Sequence, residues 1–287
     1  MLQIARLSPK QLGDSAPLVE AFLRSQLDPS GGFRDRAGTP DLYYSVFGLE
    51  GLIALGATVP PETEVFLRTY GNGEDLDLIH LCCLIRCWAD VCGPRALPLD
   101  AAAITRRLES YRTPEGGYNT VAGSDGGTAY ACFMVAAAYQ DLREPMPEPE
   151  EMLRCLALLR ADDGGYANQP DQMLGLTPST AAAATILRLL GEPYPEGLGE
   201  WLLARCHKDG GFYAVPAAPI PDLLSTATAL QALAGMKVSI SEVQEVCLDF
   251  VDSLWTNKGA FYGNWMDDAA DCEYTYYGLL ALGHLSL

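Results

Sequence analysis

The sequence predicts an all-α fold, a closed α6/α6 toroid built from six helical-hairpin repeats. Three observations carry that prediction. A Gly-Gly-aromatic triplet recurs along the chain. Each copy follows an amphipathic helical stretch and precedes an apolar one. The last apolar stretch runs to Leu287 with no polar cap.

The triplets are Gly31-Gly32-Phe33, Gly116-Gly117-Tyr118, Gly164-Gly165-Tyr166 and Gly210-Gly211-Phe212, with a worn copy at Gly259-Ala260-Phe261. The second glycines at 117, 165 and 211 are spaced by 48 and 46 residues, whereas 32 and 117 are 85 apart. The double step predicts a hidden unit, with Tyr70-Gly71-Asn72-Gly73 as its loop. A fixed period of this size marks stacked supersecondary units.

The first helix of a unit has apolar positions at helical spacing and charges opposite, as in PLVEAFLRSQL and EEMLRCLALLR. The glycines then supply backbone conformations that other residues resist. The second helix is apolar or small nearly all round, as in TAYACFMVAAAY and STAAAATILRLL, so it is buried on both sides. Six of each give an outer and an inner layer. An open stack would expose its terminal inner helices and need polar caps, so the uncapped end favours closure on the first unit. Open HEAT-type arrays share the period but lack the Gly-Gly-aromatic loop. The whole chain, 1–287, reads as one domain.

The net charge of −18 argues against nucleic acid, whose phosphates need clustered Lys and Arg, and against anionic membrane surfaces. Nine cysteines, an odd number set mostly in apolar helical stretches, predict free thiols and a reducing, cytoplasmic setting. The opening MLQIARLSPKQLGDS lacks the apolar core of a signal peptide, and no run reaches membrane-spanning length.

The chain resembles the prenyltransferase and squalene cyclase repeat superfamily over nearly its whole length. The best match is Gly31-Gly32-Phe33-Arg34-Asp35-Arg36 running into Asp41-Leu42-Tyr43-Tyr44-Ser45, which is similar to a terminal repeat of a geranylgeranyltransferase β subunit. The resemblance implies that the loops entering the inner helices gather at one mouth above a deep apolar funnel. It implies an isoprenoid ligand, free or as its diphosphate, and a partner chain of the α-subunit type. Tyr43, Tyr44, Phe47, Phe133, Tyr274, Tyr276 and Tyr277 are the candidate lining, although such rings also simply fill cores. Trp265 is the one tryptophan in a mouth loop.

Protein prenyltransferases of this kind hold zinc through an Asp-x-Cys pair in the fifth unit and a His in the sixth. Here Asp222-Leu223-Leu224 keeps the Asp but has Leu for Cys, and Tyr274 stands where the His belongs. One ligand of three survives, which predicts that the family zinc site is absent. A rearranged zinc or magnesium site would draw on His80, Asp267, Asp268, Asp271, Cys272 and Glu273. His80 follows Asp77 at the three-residue spacing of the family's zinc His from its own helix-start Asp. Asp267-Asp268-Ala269-Ala270-Asp271 spells the DDxxD of magnesium-dependent prenyl diphosphate enzymes. Acids at helix starts also cap free N–H groups.

The family's diphosphate-binding Arg and Lys are missing from Ala214 to Pro221. Arg34 and Arg36 are the close basic pair at the mouth, either gripping phosphate oxygens or paired with Asp35 and Asp41. Ser124-Asp125-Gly126-Gly127-Thr128-Ala129 resembles the proton-donor motif of class II terpene cyclases, reduced to one acid. The reading is a prenyltransferase or terpene cyclase-like protein, with Asp77, Asp222 and Asp271 as candidate catalytic carboxylates. The alternatives are a non-catalytic lipid-binding or scaffold module, and a carbohydrate-active enzyme using paired mouth acids.

Overall fold

The computed structural model describes residues 1–287. Two short helices, α1 (Leu2–Ala5) and α2 (Pro9–Leu12), lead into six hairpins. The outer helices are α3 (Ala16–Ser25), α5 (Glu62–Arg68), α7 (Ala101–Glu109), α9 (Pro149–Leu158), α11 (Leu198–Leu203) and α13 (Gln244–Ser253). The inner helices are α4 (Leu42–Ala54), α6 (Leu78–Cys92), α8 (Ala129–Leu142), α10 (Thr177–Leu190), α12 (Leu223–Gly235) and α14 (Cys272–Leu285). The hidden second unit is α5 and α6, and its outer helix spans only seven residues. No helix is long and apolar enough to cross a membrane.

The two layers follow from their side chains. In α9, Met152, Cys155 and Leu156 form a buried stripe while Glu150 and Glu151 lie in the first turn, where the helix dipole favours acids. In α8, Ala131, Cys132, Val135, Ala136 and Ala138 are all buried, so the small side chains let neighbours approach closely. Each inner helix packs on the next, and α14 packs back on α4, which closes the ring.

Three of the loops are fastened to the inner helix of their own unit in the same way. The backbone N–H of Phe33 donates to Ser45 Oγ at 2.9 Å. Tyr166 N–H donates to Thr180 Oγ1 at 2.9 Å, and Phe212 N–H to Thr226 Oγ1 at 2.8 Å. The aromatic of the triplet is thereby pinned, fully buried, against the inner helix of its own unit. The first glycine instead faces the following unit. At Gly31, with φ +100°, a Cβ would strike the Glu62 carbonyl at the start of α5. At Gly259, with φ +82°, it would strike the Leu18 carbonyl on α3, so the outer layer also closes from unit six to unit one. Unit two has Leu81 at the hydroxyl position and no triplet aromatic, which is why its loop was invisible to the repeat.

Backbone bonds also run between neighbouring loops: Ala129 N–H to the Asn168 carbonyl, Thr177 to Ala214 and Leu223 to Gly263. Each joins the start of one inner helix to the loop entering the next, so these helices begin at one common end, the mouth. The opposite end is covered by α1, which packs on α14 and α4. All nine cysteines are free thiols.

Candidate functional site

Four inner helices begin with an aspartate in extended backbone. Asp41 accepts from Tyr44 N–H, Asp77 from His80 N–H, Asp222 from Ser225 N–H and Asp271 from Tyr274 N–H. The candidate catalytic carboxylates Asp77, Asp222 and Asp271 are therefore N-caps. Asp222 also accepts from the Ser225 hydroxyl at 2.8 Å, and burial raises its pKa.

The charges around these caps are matched locally. Arg36 reaches from the first loop to the sixth, with Nε on Asp271 at 2.6 Å and Nη2 on Asp267 at 2.9 Å. Its guanidinium also lies over the Tyr274 ring at 5.5 Å. Arg34 pairs with Asp28 at 3.2 Å. The expected partners Asp35 and Asp41 are engaged elsewhere: Asp35 accepts from Ala37 and Thr39 N–H, and Asp41 meets His80. The two arginines thus do not form a joint phosphate grip, because each is drawn to a different acid.

The six candidate metal ligands do not converge either, since no three His, Cys, Asp or Glu side chains are placed to share an ion. His80 lies between Asp77 at 2.9 Å and Asp41 at 3.2 Å. Burial opposes its charge, but the two carboxylates outweigh that and raise its pKa. Asp267 and Asp271 hold Arg36, and Asp268 is exposed. Cys272 is fully buried, and burial pushes its thiol away from the thiolate that a metal requires. Asp222 has neither thiolate nor imidazole beside it, so the family's zinc set does not fit these residues. Asp125 is exposed, and Thr128 caps α8 through its own hydroxyl, so that loop holds no buried acid.

Below the mouth lies a cavity of about 350 Å³, at the lower end of ordinary small-molecule sites, which span roughly 300–1,000 Å³. Hydrophobic side chains make up 16 of its 23 lining residues. Tyr43, Phe47, Phe133, Tyr276 and Tyr277 line it as expected, and Tyr130 joins them. Tyr44 and Tyr274 do not; they stay at the rim. Trp265 is outside altogether, 42% exposed, with its indole N–H on Ser253 and its ring against His207 and Phe250.

Glu273, two residues into α14, does not itself line the cavity but contacts Tyr43, which does. It accepts from the Tyr43 hydroxyl at 2.7 Å. Burial is the main cause that raises its pKa to about 7, with Asp271 adding to it and the Tyr43 bond opposing.

Deeper down the lining turns polar. Arg86 bridges Glu50 at 3.2 Å and Asp141 at 2.8 Å, linking α6 to α4 and α8. Glu50 is 4% exposed, and burial raises Asp141 to about 6. The sequence reading missed these residues. Their signal was a Glu and an Arg inside stretches otherwise built to be buried, YYSVFGLEGLIALG and LIHLCCLIRC.

Known proteins agree with this architecture. Protein geranylgeranyltransferase-I of Candida albicans, solved with GGPP, superposes with a TM-score of 0.70 at 14% identity, covering 94% of this chain and 90% of that one. The type II terpene cyclase MstE from Scytonema superposes with a TM-score of 0.64 at 14% identity, covering 96% and 98%. A D-mannose isomerase does so with 0.62 at 12% identity, covering 96% and 97%. At these identities the likeness shows the fold alone. No curated protein matches the sequence. The family model for the prenyltransferase alpha-alpha toroid domain matches residues 3–85, 78–205 and 180–286, and the chain belongs to that family.

Proposed function

We propose that the chain binds an isoprenoid in its central cavity and acts on it as a terpene cyclase-like enzyme, with Glu273 as the proton donor. The observation that supports this reading is a buried carboxyl, Glu273, hydrogen-bonded to Tyr43 in the wall of a deep cavity lined by tyrosine and phenylalanine. A general acid works best when its pKa lies near the operating pH, which burial achieves for Glu273. Once the proton moves to a ligand double bond, the Tyr43 hydroxyl remains to stabilise the carboxylate. The faces of Tyr43, Phe47, Tyr130 and Tyr277 then offer electron density to the developing carbocation.

Two neighbours' printed descriptions involve geranylgeranyl groups, GGPP in one and geranylgeranyl dihydroxybenzoate in another, which supports the ligand class. A zinc-dependent protein transferase fits less well, because the donor set around Asp222 is incomplete. The test is turnover of geranylgeraniol and its aryl esters in heavy water, with products read by mass spectrometry. The reading expects deuterium in the product and, for Glu273→Gln, retained binding with loss of labelled product. Unchanged labelling in Glu273→Gln, or no binding by the native chain, would overturn it.

A further inference from the structure

The lower part of the cavity is not what a hydrocarbon end requires. In an α-helix, a fixed offset from the cap sets a fixed depth, at about 1.5 Å per residue. Nine residues beyond their caps, at Asp41, Asp77, Leu176 and Asp222, α4, α6, α10 and α12 place Glu50, Arg86, Thr185 and Gln231. All four line the cavity, at about 13 Å below the mouth. Asp141 from α8 and Thr228 from α12 also line the cavity, so five of the six inner helices supply it with polar groups.

Several of these groups are incompletely partnered. The Tyr276 hydroxyl is enclosed against Glu50, in a residue 1% exposed, and is not open to the cavity. The Gln231 carboxamide oxygen pairs with His284 Nε2 at 2.9 Å, which leaves its NH2 group without a protein partner. Thr185 and Thr228 spend their hydroxyl protons on backbone carbonyls and keep free lone pairs. Arg86 is bound to both carboxylates, and its remaining accessible surface faces the cavity. Donors and acceptors thus stand together in the lower part of the cavity, enclosed by the ring.

Buried polar groups are normally satisfied, and leaving them bare beneath an apolar ligand is costly. A methyl-ended chain that reached this depth would displace water from them and return nothing. A hydroxyl both donates and accepts, so it can take a bond from Gln231 and give one to Glu50 or Thr228.

We infer that the deep end of the cavity is a recognition site for a hydroxyl group, so that the ligand is an isoprenoid oxygenated at the end remote from its head. This inference rests on the isoprenoid reading above and narrows its substrate class. Discrimination by a site that must hydrogen-bond its ligand is strong, because the analogue lacking the group leaves polar atoms unpaired.

The experiment compares farnesol with ω-hydroxyfarnesol, and geranylgeraniol with ω-hydroxygeranylgeraniol, by calorimetric titration of the full chain. The hydroxylated member of at least one pair is expected to bind at least about tenfold more tightly, equivalent to about 1.4 kcal/mol. Gln231→Met removes the unpartnered NH2 group, and Thr228→Val removes a cavity-lining hydroxyl whose proton is spent within its own helix, so the fold is retained. In each, the advantage is expected to shrink below about threefold while the parent prenol binds equally well or better. Parent prenols that bind without any hydroxyl advantage overturn this inference and leave the isoprenoid reading standing. An advantage that persists in both variants also overturns it. Failure of every probe to bind overturns both.

Discussion

Charge is handled in opposite ways at the two ends of the funnel. At the mouth, Asp41, Asp77, Asp222 and Asp271 each serve the backbone of their own helix, and Arg36 and His80 sit beside them near water. At the floor, Glu50, Arg86 and Asp141 come from three different helices and meet inside the protein. A capping aspartate has a local reason to exist. A buried ion triad does not, because desolvating it offsets most of the attraction it gains. The contrast teaches where to look for function in this ring: the acid-rich mouth holds the fold, and the unexplained polarity lies deep.

The largest test of that contrast is Arg86→Met. It leaves two buried carboxylates facing each other and is expected to lower unfolding free energy by about 3–5 kcal/mol in urea titrations. Adding Glu50→Gln and Asp141→Asn should restore much of the loss. A cost below about 1 kcal/mol would mean that the floor is as well hydrated as the mouth, and the contrast would fail.

Glu273 lies between the two ends and should behave like the floor. Its folded pKa of about 7 exceeds the ordinary 4.5, so the folded chain binds more protons across that interval. Stability from this group is present at low pH and is lost as pH rises from 4.5 through about 7, a difference of roughly 3 kcal/mol. Denaturation of Glu273→Gln across that range should lack this decline.

The loop hydroxyls give a smaller, internally controlled effect. Thr226→Val strands the buried Phe212 N–H and should cost about 1–2 kcal/mol. The equivalent Thr275→Val should cost almost nothing, because Thr275 Oγ1 has no partner. Equal losses at both positions would show that packing, not the hydrogen bond, sets the value. Smallest of all, Arg36→Ala should change stability by less than about 1 kcal/mol and lose even that in high salt, read as the shift in midpoint.

Much of the ring was legible in one dimension. The triplet spacing located five loops, and the double step between Gly32 and Gly117 located the sixth. Five of the seven expected aromatic liners reach the cavity, because residues shortly after each cap face inward at a period that helical geometry sets. Trp265 misled because loop position says nothing of direction; Ser253 and Phe250 hold it on the outer wall. The sequence offered Arg36 either phosphate oxygens or an acid of its own loop, whereas its partners lie in the sixth loop, brought near only when the ring closes.

Local order therefore settled by itself which helices are outer or inner, where they start, and that six units exist, since periodicity and capping act over three or four residues. Tertiary structure alone decided what each charge does. Asp271 joins Arg36 only across the closure, and Arg86 meets Glu50 and Asp141 only where three inner helices converge. Ion pairs and cavity walls depend on distance in space, and in a closed ring the residues that share a depth are dispersed along the whole chain.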